Sequence, residues 1–267
     1  MSLWHLILLA LIQGITEFLP ISSSGHLALL PNLTGLADQG QTLDVAVHVG
    51  TLGAVVVYFW REVRLAVGGV ARLAMGRMDT PGARLAFMLL ISTVPVVIAG
   101  AILHLTGLSG TLRSIAVIGW TMLLFGLLLY WADHRGPHIH TMAEWRARDA
   151  VIMGLWQTLA LVPGTSRAGI TITAGRILGY DRESAARIAM LMSIPTIAAS
   201  GVLLGAEVVV TGDAIIARDG AIAAAFAFLS ALGAMALMMR FLRHVHFTPY
   251  VIYRVILGIV LLGIAYL

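Results

Sequence analysis

The chain has 267 residues, 59% of them hydrophobic and only 11% charged, against about 25% charged in an ordinary soluble domain. So little polar surface cannot cover a soluble globule of this size, and much of the exterior must be solvated by lipid. All 17 basic residues are arginine, cysteine is absent, and 13 acids leave a net charge of +4. Disulfides and thiolate metal sites are therefore excluded, and no basic stripe with interleaved aromatics marks a groove for nucleic acid.

The first apolar run, Leu3 to Leu19, has no basic segment before it and no clean cleavage site after it, so it does not read as a signal peptide. It stops at Pro20, short of the ~20 residues that cross ~30 Å of hydrocarbon. Small polar residues follow, then a second short apolar run. This predicts a broken helix or re-entrant hairpin, tolerated at membrane depth only where protein or a wet cavity surrounds it. Spans follow at Leu43 to Trp60, Leu85 to Leu105 and Ile115 to Trp131. A second short run, Ala150 to Val162, stops at Pro163 and predicts a second hairpin. Spans at Ile188 to Val210, Ala221 to Phe241 and Tyr250 to Leu267 complete the chain. The expected fold is an all-α integral membrane protein: a polytopic bundle of about six full spans plus two broken-helix hairpins, one transmembrane domain over residues 1–267.

Arginine placement orients the bundle. Arg61, Arg64, Arg72, Arg77 and Arg84 fall in the connection after the first span, Arg135, Arg146 and Arg148 in a later one, Arg240 and Arg243 in a third. These belong in the cytoplasm by the positive-inside rule. The connections Thr106 to Leu112 and Thr211 to Gly220 belong outside, with both termini. Hairpin plus three spans thus occurs twice with opposite orientation, near 1–135 and 149–267, as in an inverted-topology repeat. Aligning Pro20 with Pro163 sets Ser23 on Ser166, Ser24 on Arg167 and Gly25 on Ala168. A competing likeness, Thr93-Val94-Pro95 with Ser193-Ile194-Pro195, joins spans that run the same way.

The two breaks carry the chemistry. Gln13 and Glu17 share a helix face, and a carboxylate inside an apolar segment is costly unless paired, hydrated or metal-bound. Ser22, Ser23, Ser24, Gly25 and His26 follow Pro20 and open the next helix, where hydroxyls and backbone N–H groups can face an anion. After Pro163 come Gly164, Thr165, Ser166 and Arg167, then Thr171; the guanidinium fork matches phosphate oxygens. Inverted repeats with broken helices place their site near the midplane where the breaks meet. Together these groups suit phosphate-ester or pyrophosphate chemistry, with a divalent cation such as Mg²⁺ bridging Glu17 and the substrate.

Plainer readings stand beside these. Glu17 could be a paired structural carboxylate, Arg167 a topogenic charge, the serines helix caps and His26 a satisfied buried histidine. Asp149 reads as the N-cap of the second hairpin's first helix. His134, His138 and His140 read as a solvated loop rather than a metal site. His48, one turn from Asp44, could line the cavity but stays off the site set. Trp60, Trp131 and Tyr250 at span ends fit an interfacial belt.

The stretch Q-G-I-T-E at Gln13–Glu17 resembles the [E/Q]-x-x-x-E motif of the bacterial undecaprenyl-pyrophosphate phosphatase family associated with bacitracin resistance. P-G-T-S-R-A-G-I-T at Pro163–Thr171 resembles that family's P-G-x-S-R-S-x-x-T motif, and E-F-L-P-I-S-S-S-G-H is similar to its signature. The likeness extends over essentially the whole chain. It implies hydrolysis of undecaprenyl pyrophosphate to the monophosphate and phosphate, which recycles the lipid carrier of peptidoglycan synthesis and confers bacitracin resistance. It further implies Mg²⁺ or Ca²⁺ as cofactor, a bacterial inner-membrane location and a site open to the periplasm; a homodimer is left open. By position, Glu17 corresponds to the essential acid, Gln13 to its upstream partner, Ser23 to the candidate nucleophile, His26 to the family histidine and Arg167 to the phosphate-binding arginine, with Ser166 and Thr171 as neighbours. Gln13 leaves one carboxylate where two could stand, and Ala168 replaces the motif's second serine. The alternative from architecture alone is a transporter or flippase for a lipid phosphate or another anion.

Overall fold

A computed structural model describes residues 3–27, 41–107, 112, 114–208 and 214–267, apart from the side chains of 41–42, 203–208 and 214–217. The helices in order are α1 (Leu3–Phe18), a short helical stretch at 23–27, α2 (Gln41–Tyr58), α3 (Trp60–Ala74), α4 (Pro81–Leu105), α5 (Ile115–Arg135), α6 (Ala147–Gln157), α7 (Arg167–Ile177), α8 (Arg182–Val208), α9 (Ala214–Phe241) and α10 (Thr248–Tyr266). The described residues form no strand, and the fold is an all-α polytopic membrane bundle. Five helices, α4, α5, α8, α9 and α10, are long and apolar enough to cross a membrane. A sixth span exists only if α2 and α3, bent by 92° at their junction, are taken together. Of the expected outer connections, 108–111 and 211–213 lie outside the described residues, whereas 214–220, expected as loop, form the first two turns of α9.

The arginine-bearing connection after the first span is helix α3 rather than a loop. Ala66 and Gly69 are buried against α4 while the arginines point outward, so charge density hid a helical period.

Each hairpin's first helix is held by a span from the other part of the chain: α1 packs on α9 and α6 on α4. Glycine permits both contacts. A Cβ at Gly14 would lie 2.6 Å from the Ala227 carbonyl oxygen, and one at Gly154 would lie 2.4 Å from that of Ser92. α5 packs on α10, and α2 on α8 and α9.

Polar contacts knit the arginine-bearing face. The buried Asp133 carboxylate accepts from Arg176 Nε (3.1 Å), Arg182 Nε (2.7 Å) and the Phe247 backbone N–H (3.1 Å). It thereby ties α5 to α7, α8 and the start of α10. Arg187 pairs with Glu62 at 2.8 Å and Glu183 at 3.2 Å. Asp149 is not a cap: α6 begins two residues earlier, after Arg146, and Asp149 instead accepts from the Tyr180 hydroxyl at 2.7 Å. Burial, reinforced by that carboxylate, pushes the Tyr180 phenol above its ordinary pKa. The three histidines expected in one loop diverge: His134 lies in the last turn of α5 and stacks with His246, His138 Nε2 meets Arg176 at 3.0 Å, and His140 lies against Tyr180.

Asp133→Ala strands two arginines and should lower stability by about 3–5 kcal/mol. Arg72→Ala, which breaks an exposed pair with Asp79, should cost about 0–1 kcal/mol. Thermal unfolding in detergent compares them, and equal shifts would contradict this account of the face.

Candidate active site

Proline has no N–H to continue a helix, and each break begins near one. α1 ends at Phe18, the chain turns through Pro20 and Ile21, and helix resumes at 23. α6 tightens into a 3₁₀ turn at Thr158–Leu161, passes Pro163 and Gly164, and helix resumes at Arg167. Among the described residues only Ser22 and Ser166 are non-glycine residues with positive φ, each at 71°. These strained serines set the correspondence: Ser22 with Ser166, Ser23 with Arg167, Gly25 with Gly169 and, upstream, Gln13 with Gln157. The proline alignment is therefore off by one, because the second break holds one more residue between proline and serine.

The breaks touch directly. Gly164 N–H donates to Ser24 Oγ at 3.1 Å, and Thr121 Oγ1 donates to the Pro163 carbonyl at 2.6 Å. Gly164 has φ +88°, and a Cβ there would lie 2.1 Å from Thr121 Oγ1. Behind them the fully buried Arg254 of α10 donates to the carbonyls of Pro20 (3.4 Å), Gly164 (3.1 Å), Thr165 (2.9 Å) and Thr121 (3.4 Å). One guanidinium thus answers carbonyls that both breaks release.

At the meeting point Glu17 Oε1 accepts from Arg167 Nη2 at 2.5 Å, and Oε2 accepts from Gln13 Nε2 at 2.7 Å and Ser23 Oγ at 3.0 Å. His48 Nδ1 lies 2.7 Å from the Asp44 carbonyl and Nε2 lies 3.1 Å from Gln13 Nε2. A neutral ring that donates through Nδ1 leaves Nε2 to accept from Gln13, so the amide bridges His48 and Glu17. Gln13 Oε1 is buried without a partner among the described residues.

Glu17, Ser22, Ser23, Ser24, Ser166 and Arg167 border one cavity of about 320 Å³, with Asp44 and His48 of α2, Val96 of α4, and Thr196, Ile197 and Ser200 of α8. Gln13, Gly25, Gly164, Thr165 and Thr171 lie behind that wall. Ser166 Oγ caps α7 by accepting from Gly169 N–H at 3.1 Å, and Thr171 Oγ1 donates back to the Arg167 carbonyl at 2.7 Å. His26 faces away from Glu17: Nδ1 is 2.7 Å from the Ser22 carbonyl, and Nε2 is 2.5 Å from the Tyr253 hydroxyl, with the rings stacked. A larger cavity, about 720 Å³, lies at the arginine-bearing face beside Glu62, Glu183 and Arg187. Those charges pair with one another, and no broken helix reaches it.

Among the residues beyond the expected set, His48, Arg254 and Tyr253 contact predicted site residues directly. His48 was visible one turn from Asp44. Arg254 met the criterion that singles out Glu17, a charge inside an apolar span. Tyr253 carried no signal in the sequence.

Among the described residues no three His, Asp or Glu side chains gather as a metal site. The donors at Glu17 are nevertheless oxygens, and a hard cation takes one or two carboxylates with substrate phosphate and water completing its shell. Glu17 beside the unpartnered Gln13 carbonyl fits that requirement.

The model of the bacitracin resistance protein BacA family matches residues 6–260. Among similar curated proteins, one from Ruegeria pomeroyi named undecaprenyl-diphosphatase is 71% identical over 266 residues, and one of the same name from Jannaschia sp. is 70% identical; each alignment covers 100% of both chains. Undecaprenyl-diphosphatase 1 of Rhodospirillum rubrum is 48% identical, covering 100% of this chain and 96% of its own.

Arg254→Met should unseat both breaks, since each buried carbonyl left without a donor costs about 1–3 kcal/mol. A melting temperature in detergent equal to that of the unaltered protein would show that the carbonyls find other donors.

Proposed function

The chain belongs to the bacitracin resistance protein BacA family, and we propose that it is an integral membrane phosphatase that hydrolyses undecaprenyl pyrophosphate to undecaprenyl phosphate and inorganic phosphate, so recycling a lipid carrier. The full-length relatives that bear the name undecaprenyl-diphosphatase support this substrate. The observation that carries the chemistry is the junction of the breaks, where Ser23 donates its proton to a carboxylate that also meets the Arg167 guanidinium.

In this reading the substrate's terminal phosphate takes over Arg167, whose donors stabilise charge on the phosphoryl oxygens. Ser23 Oγ attacks that phosphorus and Glu17 accepts the hydroxyl proton. The bond from phosphorus to the bridging oxygen breaks, and undecaprenyl phosphate departs with the electron pair. Water then attacks the phosphoserine, one of its protons returning to the Ser23 oxygen as inorganic phosphate leaves, and Glu17 gives up its proton to solvent, restoring the resting site. Glu17, with the Gln13 carbonyl beside it, would hold Mg²⁺ or Ca²⁺, which when bound neutralises phosphate charge. His48 orients Gln13 and so the carboxylate. His26 steadies the resumed helix against Tyr253 of α10. Ser22, Ser24, Gly25, Gly164, Thr165, Ser166 and Thr171 shape the phosphate pocket or hold its backbone.

The two parts of the chain, near 1–135 and 149–267, form an inverted repeat in this account. The reciprocal packing of α1 on α9 and α6 on α4 supports it, as do the matched strained serines. So does a matched contact, in which Gln157 reaches Thr196 of α8 at 3.2 Å much as Gln13 reaches His48 of α2. The protein sits in the bacterial inner membrane with its cavity toward the periplasm. The cavity borders Asp44 near the start of α2 and Ser200 late in α8, while the arginines gather where α2 ends and α8 begins, the face that stays inside. Paired broken helices also suit a transporter, but an anion carrier has no need of a serine hydrogen-bonded to a buried carboxylate.

Phosphate release from undecaprenyl pyrophosphate by detergent-purified protein should require a divalent cation and disappear with chelator. Glu17→Gln and Arg167→Ala should each lower it about 10²–10⁴-fold when assayed below each variant's melting temperature, since losing one partner of the buried pair also lowers stability. Turnover kept in both variants would refute the site. Ser23→Ala should be as inactive as Glu17→Gln; substantial turnover in it would assign the attack to water.

A further inference from the structure

Helix α3 lies across the end of the bundle, turned 92° from α2, and its faces differ sharply. Ala66 and Gly69 are buried against α4, while Val67 and Val70 are exposed on one flank. On the other flank Arg61, Arg64, Gly68 and Arg72 follow one another at three- and four-residue steps, which sets them in a single stripe. This stripe borders a cavity of about 440 Å³ between α3 and the start of α4, and no acidic residue lines it. Arg72 shares its charge with Asp79 at 2.8 Å. Arg61 and Arg64 have no ion-pair or hydrogen-bond partner among the described residues. Gly68 leaves open space between Arg64 and Arg72, since a Cβ there would meet nothing within 4 Å.

We infer that this cavity binds the phosphate headgroup of an anionic phospholipid between Arg61, Arg64 and Arg72. A helix with an apolar flank and an arginine flank rests at the boundary of acyl chains and headgroups. Its unpaired guanidinia stand at the depth of lipid phosphates, where each basic residue contributes about 1 kcal/mol of attraction to an anionic leaflet. The gap at Gly68 lets a headgroup settle onto the helix between two arginines instead of resting above them. Trp60, exposed at the start of α3, marks the same level. The apolar flank of Val67 and Val70 seats α3 in the acyl boundary, which sets its arginine flank beside lipid headgroups, so the occupant is a lipid. The site is separate from the Glu17 cavity, and its fate does not bear on the hydrolysis assay.

Purified full-length protein in neutral detergent is titrated with phosphatidylglycerol, phosphatidylcholine or inorganic phosphate, followed by melting temperature and native mass spectrometry. Phosphatidylglycerol should raise the melting temperature and remain bound, with little effect from the other two. Arg61→Gln with Arg64→Gln should weaken retention by about tenfold or more. Gly68→Leu should do likewise with every charge in place, because the side chain fills the gap. An unchanged response in either variant overturns the inference: the first would place the lipid elsewhere, and the second would reduce the effect to diffuse surface charge. An equal shift with inorganic phosphate would also overturn it, in favour of a soluble-anion site.

Discussion

Breaking a helix inside an apolar bundle releases carbonyl groups that water cannot reach, and this bundle does so twice at the same place. The Arg254 guanidinium meets that demand by donating to Pro20 from one break and to Gly164 and Thr165 from the other. With the backbones joined there, Ser24 and Gly164 can meet, and the two resumed helices start side by side. The placement of Ser23 and Arg167, the first residues of those helices, depends on this. An arginine whose hydrogen-bond partners are all neutral carbonyls is costly to bury, and the cost offsets a larger one, several unsatisfied carbonyls at membrane depth.

The junction then explains how Glu17 and Arg167 persist in an apolar interior. Each would be expensive alone; paired, and with Gln13 and Ser23 completing the carboxylate's bonds, they are tolerable. In the mechanism proposed above, the arrangement holds a base and a phosphate-binding cation in contact until a competing anion arrives. A pyrophosphate that draws Arg167 toward itself leaves Glu17 with a serine proton to take, so binding and activation are the same event. In that proposal the resting ion pair is part of the mechanism rather than a stabilising ornament.

Much of this was legible from the chain. A carboxylate in an apolar run and an arginine just after a proline break stand out because lipid makes charge expensive, and both proved to meet. The broken helices were visible for a similar reason: the runs before Pro20 and Pro163 are too short to cross. What escaped follows from limits of the same signals. Arginine counting treated 61–84 as a loop because it registers charge and not the period of Ala66 and Gly69, which reveals α3. Proline matching misregistered the breaks because backbone conformation, set by Ser22 and Ser166, is not written in residue type. Arg254 was overlooked although it lies within an apolar span, in the interior with no acid beside it among the described residues.

On the inverted repeat proposed above, the frame is nearly symmetric and the chemistry is not. Counting from the paired serines, the position equivalent to Glu17 is Leu161, and the one equivalent to Arg167 is Ser23. One half therefore contributes an acid and a hydroxyl, while the other contributes only the cation. Gln157, the match of Gln13, reaches Thr196 where Gln13 reaches a histidine, and it has no carboxylate to orient. A second acid at 161 would face the same junction as Glu17 and add like charge at low dielectric, raising the cost of ionising either. A second arginine at 23 would displace the nucleophile. In the proposed repeat two related halves thus yield a single site: the shared frame supplies the breaks, and the divergence of a few residues within them supplies the reaction.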